Sequence, residues 1–247
     1  MPIKVLVVGA TGATGKHVVQ MLLDQNHHVT AIVRSKESML RKLKKNDENY
    51  GDRLEIHQAS ILKMSHLDLM LLTKGCDFVV SCLGHNMTFK GMFLKDRKLV
   101  TQATTKLTRA MPSTCKFILM GSEGVKFPGV DPKRVFAERS ILFLLRYLVP
   151  PHADNEGAAA HLLKANKSFH WTIVRPAALI DEEKATGQYK ISDKADTPLF
   201  GDQTVSRNNV AHFMVKLMTQ SGIYDQHLHK MPVIMDPTPA NEKKSGN

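Results

Sequence analysis

The sequence predicts a doubly wound α/β fold, a parallel sheet covered by helices on both faces. Three observations predict it. Short apolar runs closed by Gly or Pro alternate with helical patterns along most of the chain. A glycine-rich turn, Gly9-Ala10-Thr11-Gly12-Ala13-Thr14-Gly15, joins the first such run to the first helical pattern. The chain has 247 residues, 43% hydrophobic and 23% charged, which suits one domain with one sizeable core.

Ile3 to Val8 is almost purely apolar, as a strand buried on both faces requires. After the turn, Val18, Val19, Leu22 and Leu23 recur at helical spacing. His28 to Val33 reads as the second strand, Ser38 to Asn46 as a polar, basic helix or helix-loop, Leu54 to Gln58 as the third strand and Leu67 to Lys74 as a helix. Asp77 to Leu83 is a fourth buried strand closed by Gly84. Lys98 to Met111 is a helix ended by Pro112, and Lys116 to Met120 is a fifth strand closed by Gly121-Ser122. An alanine-rich helix from His152 to Asn166 leads to a sixth strand, Trp171 to Val174, stopped by Pro176. Asn208 to Met218 is a further helix. One domain is expected over residues 1–235, elaborated in its C-terminal third, followed by a loose polar tail, 236–247, that carries Pro237 and Pro239. Alternation of this kind is the signature of a Rossmann-type sheet.

Composition narrows the function classes. Cys76, Cys82 and Cys115 are few, odd in number and far apart, so they match neither a zinc site nor a disulfide framework and point to a reducing, cytoplasmic setting. The N-terminus runs straight into a strand without the pattern of a signal peptide, and no apolar window is long enough to span a membrane. The net charge of +11 is spread along the chain except for the run Arg41-Lys42-Leu43-Lys44-Lys45. That run has no interleaved aromatic residues, which argues against a nucleic-acid surface and for a solvated helix face. A charge of this sign can also serve an anionic membrane surface or an acidic small ligand.

The glycine turn supplies the place for one. Its GxxGxxG spacing sits between strand and helix, where glycine lets a phosphate approach the main chain and the helix N-terminus offers N–H groups to a pyrophosphate. Gly9, Thr11, Gly12, Ala13, Thr14 and Gly15 are therefore candidate cofactor contacts, Thr11 and Thr14 through their hydroxyls. The end of the second strand then selects between dinucleotides. It reads Val33-Arg34-Ser35-Lys36, with no acid before Glu37 to hold a ribose diol, and Arg34 and Lys36 suit a 2′-phosphate. NADP(H) is the expected cofactor.

These residues resemble a known family. The stretches VVGATGATGKHVV, VTAIVR, DFVVSCLG and WTIVRP are similar to the atypical short-chain dehydrogenases/reductases, in particular to the biliverdin reductase B/flavin reductase type and the NmrA-like proteins. The segments Thr186 to Tyr189 and Val205 to Met214 are also similar to the flavin reductase type. The resemblance implies that Ser60 and Ile61 lie beside the adenine, although the family usually has Asp where Ser60 stands. It implies that Cys82, Leu83 and Gly84 pass the ribose next to the nicotinamide, that Ser122 faces nicotinamide and substrate, and that Arg175-Pro176 opens the loop shaping the substrate pocket, with Pro176 beside the cofactor. A serine in this position can equally serve a turn.

The larger branch of the family uses a Tyr-x-x-x-Lys pair, and no tyrosine here has a lysine four residues later. By alignment, His152 and Glu156 stand near those two places. His152 can act as a proton donor near neutral pH, or its surroundings can simply start a helix, capped by Asp154 or Asn155. His161, further along that helix, is expected in a packing or solvent-exposed role. The apolar, arginine-flanked segment 134–149 is extra to a minimal domain; burial in the core is expected, with a substrate cover, a dimer contact, a protein partner or a membrane surface as alternatives.

Two functions follow. One is an NADPH-dependent reductase of a flat conjugated acceptor such as a flavin, a quinone or a biliverdin-like molecule. Such an acceptor can take its proton from solvent, so the missing Tyr-x-x-x-Lys pair is compatible with the reaction. The other is a non-catalytic NADP(H)-binding sensor of NmrA-like type.

Overall fold

The computed structural model describes residues 1–43, 50–84, 97–133, 135, 138, 140–141, 150–165, 168–195 and 202–237. Its centre is an eight-stranded sheet in the order β3-β2-β1-β4-β5-β6-β10-β8. The first six strands are β1 (Lys4–Val8), β2 (His28–Val33), β3 (Leu54–Gln58), β4 (Phe78–Ser81), β5 (Lys116–Met120) and β6 (His170–Pro176). All are parallel, with Val7 of β1 opposite Ala31 on one side and Val80 on the other. The chain winds outward from β1 to β3, then returns to place β4 on the other side of β1. That reversal leaves a crevice at the carboxyl ends of β1 and β4, the usual ligand position in such sheets.

The helices are α1 (Gly15–Asp24), α2 (Lys36–Leu40), α3 (His66–Thr73), α4 (Leu99–Ala110), α5 (Pro150–Ala165), α6 (Arg207–Thr219) and the short α7 (Ile223–Gln226). Strand side chains alternate between the two faces. On one face Val5, Val7 and Val80 pack under α1 and α6; on the other Leu6, Val79, Phe117 and Trp171 pack under α4 and α5. This double burial explains why the β1 and β4 sequences are continuous apolar runs rather than alternating ones.

Helix α5 begins at Pro150, two residues earlier than expected, since its two prolines fit a first turn that needs no N–H donors. Asp154 is therefore inside the helix and does not cap it. Its buried carboxylate instead accepts from the Val100 and Thr101 amides, at 2.7 and 2.9 Å, and so caps α4. The two helices approach closely at Gly157, where a Cβ would lie 2.6 Å from the Thr101 hydroxyl. His161 joins the same contact through Thr108, at 2.9 Å.

The C-terminal third adds short strands that the sequence pattern did not announce. β10 (Val233–Met235) extends the sheet parallel to β6, and β8 (Lys190–Ser192) closes that edge antiparallel. β7 (Ala178–Ile180) and β9 (Thr204–Ser206) form a separate parallel pair. Asp236, assigned by sequence to the loose tail, is anchored: its carboxylate accepts from Ser206 N at 2.9 Å and Asn209 Nδ2 at 2.7 Å. Asn209 also accepts from the Thr186 and Gly187 amides at 2.9 and 3.1 Å. One side chain thus joins the two late segments that resembled the flavin reductase type.

Of segment 134–149, only Val135, Glu138, Ser140 and Ile141 are among the described residues. Val135 and Ile141 are exposed, which corrects the expectation of burial for these two. The rest of the segment, the end of the basic run and residues 238–247 lie outside the described residues. No described helix is long and apolar enough to cross a membrane.

Candidate functional site

The crevice at the carboxyl ends of β1–β4 holds a cavity of about 300 Å³. Its floor is the glycine turn. Gly9 has φ +76°, and a Cβ there would sit 2.5 Å from the Cys82 carbonyl, so only glycine lets β1 turn this close to the end of β4. A Cβ on Gly15 would overlap the Gly9 carbonyl, which makes glycine the residue that seats α1 against the turn. Gly12 closes the turn by donating its N–H to the Gly9 carbonyl at 2.9 Å. Behind it α1 starts, its Lys16 amide donating to the Gly12 carbonyl at 3.2 Å and its His17 amide to the Thr14 carbonyl at 3.0 Å, so that turn and helix run into one another.

Gly9, Thr11 and Gly12 line the cavity, as do Arg34 at the end of β2, Ser60 and Ile61 after β3, and Cys82, Leu83 and Gly84 after β4. Ala13, Thr14 and Gly15 do not; Ala13 and Thr14 lead into α1 and Gly15 opens it, Ala13 exposed and the other two buried. Burial pushes the Cys82 thiol up to about 12, so the group beside the cavity is a neutral thiol.

Ser35 and Lys36 are also outside the lining. Ser35 caps α2: its hydroxyl accepts from Ser38 N at 3.0 Å and donates to Glu37 at 2.8 Å. Lys36 donates its backbone N–H to Gln58 at 3.3 Å. Glu37, the first acid after β2, faces solvent; its own amide and the Ser35 hydroxyl hold its carboxyl below the usual range.

Ser38, Lys42 and Leu99 are among the lining residues that escaped the sequence reading, with the strand-end residues Val8, Ile32, Val33 and Ala59. The Lys42 ammonium reaches back to the Thr11 carbonyl and bridges the chain after α2 to the glycine turn. Arg34, Ser38 and Lys42 stand four residues apart, but only Ser38 lies on α2, so the spacing marks no helical face. Assigning Lys42 to a generic basic run hid it. The lining contains two cations, Arg34 and Lys42, and no carboxylate among the described residues.

Ser122, His152 and Pro176 do not line this cavity. Ser122 follows β5, and its hydroxyl accepts from Gly124 N at 3.4 Å while its carbonyl accepts from Val125 N at 3.0 Å, a turn role. The Pro176 carbonyl, at the end of β6, accepts from Glu123 N at 3.0 Å. His152 Nε2 lies 3.6 Å from Glu156 Oε1 one turn along α5.

Residues 9–221 match the family model for NAD(P)H-binding proteins. The chain belongs to this family. Among curated proteins it is similar to the oxidoreductase stcQ of Emericella nidulans, 26% identical over 203 residues that cover 78% of this chain and 71% of the relative. Among solved structures it is similar to ChuY, an anaerobillin reductase from Escherichia coli O157:H7, at TM-score 0.64, 15% identity and coverage of 96% of this chain and 100% of the other. It is also similar to a wide-type short-chain dehydrogenase/reductase from Veillonella parvula in complex with NADP, at TM-score 0.67, 16% identity and full coverage of both chains. At these identities the two structures speak to the fold, and the fold agrees with the doubly wound expectation and with the resemblance to atypical short-chain dehydrogenases/reductases. A nicotinamide dinucleotide fits the family's site in this chain on its own geometry, because the turn where its phosphates would lie is built on positions a Cβ would fill.

Proposed function

We propose that the protein is an NADPH-dependent reductase of a flat conjugated acceptor, a flavin, a quinone or a biliverdin-like molecule. The observation that carries the cofactor choice is the pair of cations, Arg34 and Lys42, in a cavity wall without a carboxylate. A guanidinium and an ammonium answer a 2′-phosphate, whereas a ribose diol calls for an acid. Gly9, Gly12 and the start of α1 would hold the pyrophosphate, Ser60 and Ile61 the adenine side, and Cys82 to Gly84 the ribose nearer the nicotinamide. When bound, the nicotinamide supplies the two-electron reducing equivalent. The residues of this chain orient it and exclude water around it.

The acceptor class follows from what the chain lacks. No tyrosine precedes a lysine by four residues. His152 and Glu156 face each other on α5, and Ser122 is held in a turn at the end of β5. This set suits an acceptor that takes its proton from solvent better than it suits a ketone. The oxidoreductase relative supports the reading at the level of reaction class.

The turn role of the Ser122 hydroxyl favours a second reading, an NADP(H)-binding sensor without turnover. One assay separates them: NADPH oxidation, followed by loss of near-ultraviolet absorbance, against flavins, quinones and biliverdin, with NADH in parallel. Turnover with NADPH above NADH, reduced by Ser122→Ala, is the expected result. Tight NADPH binding with no acceptor reduced overturns the reductase in favour of the sensor.

A further inference from the structure

The largest fully buried side chain among the described residues is charged. Arg175, on β6, is 0% exposed, and its guanidinium forms a two-pronged pair with Asp131 at 2.6 and 3.0 Å. Two further donors are used: Nε bonds the Met231 carbonyl at 2.6 Å and an Nη1 hydrogen the Val125 carbonyl at 2.9 Å. Asp131 accepts two further amides, Phe127 N at 2.6 Å and Ala195 N at 2.8 Å. Burial alone would raise the Asp131 carboxyl, but Arg175 and the two amides outweigh it and hold it low. Two side chains therefore tie four pieces of chain together: the end of β6, the loop after β5, the approach to β10 and the segment after β8.

None of these atoms borders the cofactor cavity. The connection runs instead to Ser122. Arg175 holds the Val125 carbonyl, and the Val125 amide bonds the Ser122 carbonyl at 3.0 Å. The Arg175 stem also runs past Gly121, the residue before Ser122, with Cγ 4.0 Å from where a Cβ would stand. A buried ion pair is poor value as a stabiliser, because well-packed apolar residues often do as well or better. What such a pair supplies is direction: each donor and acceptor accepts one arrangement of its neighbours.

We propose that Arg175 and Asp131 are positioning residues that fix the Ser122–Val125 turn and the segment at Ala195 on the acceptor side of the site. The consequence for turnover rests on the reductase reading; the consequence for the turn does not. The test is the double variant Arg175→Met/Asp131→Leu, which removes both charges and keeps apolar bulk. Its melting temperature and NADPH dissociation constant are measured with amide hydrogen exchange over residues 121–131 and with steady-state kinetics. The expected result is a folded protein with a melting temperature lowered by several degrees, because the Phe127 and Ala195 amides and the Met231 and Val125 carbonyls lose their partners, with NADPH affinity within about twofold, amide exchange in 121–131 faster by about tenfold or more, and acceptor kcat/KM lower by about tenfold to a hundredfold, the scale set by small misplacements near a reacting centre.

Unchanged exchange in 121–131 overturns the proposal. Faster exchange with unchanged kcat/KM overturns the positioning role and leaves only a structural tie. Should wild type reduce no acceptor, the reductase reading fails by itself, and the exchange result still decides whether the pair orders the turn. Should the double variant not fold, Ala195→Pro removes a single N–H donor and keeps the ion pair. It is expected to speed exchange around residues 190–195 and to raise acceptor KM several-fold with NADPH affinity kept; unchanged exchange there overturns the Ala195 arm.

Discussion

Removing the cations of the cavity wall, singly and together, tests the proposed preference for NADPH, and the variants are expected to approach equal affinity for NADPH and NADH. Arg34 is exposed and Lys42 reaches the Thr11 carbonyl across the cavity edge, so both would meet a 2′-phosphate at a site open to solvent and salt. A hydrogen bond to a charged group is worth about 1.5–3 kcal/mol when sheltered, and screening at an open site brings it toward the lower end or below. Taking about 2 kcal/mol for the two-pronged guanidinium and about 1 kcal/mol for the ammonium gives about 30-fold and about fivefold weaker NADPH binding for Arg34→Met and Lys42→Met. The double variant should lose about 150-fold if the two effects add, and less if they couple. NADH affinity should change by less than about twofold in all three, since NADH carries nothing for these groups to read. Fluorescence titration with each dinucleotide at two salt concentrations measures this directly, and the NADPH losses should shrink at the higher salt. Equal losses for NADPH and NADH, or no loss for either, refute the assignment of these cations to the 2′-phosphate.

Two further predictions concern stability. Asp154→Ala leaves the Val100 and Thr101 amides without their carboxylate and should cost about 2 kcal/mol. That is about 4–8 °C in melting temperature for a chain of this size, with a smaller loss for Asp154→Asn; a wild-type melting curve for the alanine variant would contradict the cross-helix cap. Burial lowers His161, His212 and His227 below the ordinary 6.5, while the unfolded chain keeps that value. The unfolded state therefore binds more protons below pH 6.5, and stability should fall as pH drops from there. A melting temperature that holds steady from pH 7.5 to 5.5 would contradict this, and His227→Phe, which keeps a ring against Phe213, should flatten the slope.

The parts of the fold that could be read in advance are those in which one local rule decides. β1 and β4 are apolar throughout because both faces are covered, and Gly9, Gly12 and Gly15 are glycine because backbone stands where a Cβ would go. Both facts leave a mark on consecutive residues. Strands β7 to β10 leave none, being three residues each and determined by the neighbours they find. The same holds for side chains acting at a distance. Asp154 looked like a helix start because it stands among helix-starting residues, yet its partners are fifty-four and fifty-three positions away on α4. Lys42 looked like one of several surface lysines, and only the turn it meets makes it a cavity residue.

The two halves of the sheet are thus built on different terms, and the difference bears on function. The half around β1 positions its ligand with backbone: a glycine turn, the start of α1 and strand ends, rigid because they sit on a close-packed apolar core. The half beyond β5 has loops and three-residue strands, and its order comes from polar joints, Asn209 to Asp236 and Thr186 on one side and Arg175 to Asp131 on the other. A backbone cradle recognises what all dinucleotides share. Loops held by a few directional joints can be reshaped by substitutions between the joints while the joints keep the sheet intact. On the proposed reductase reading, acceptor identity should therefore track the residues between those joints, 122–131 and 182–195, and grafting those two stretches from a relative with a different acceptor should move acceptor preference without moving the relative affinity for NADPH and NADH.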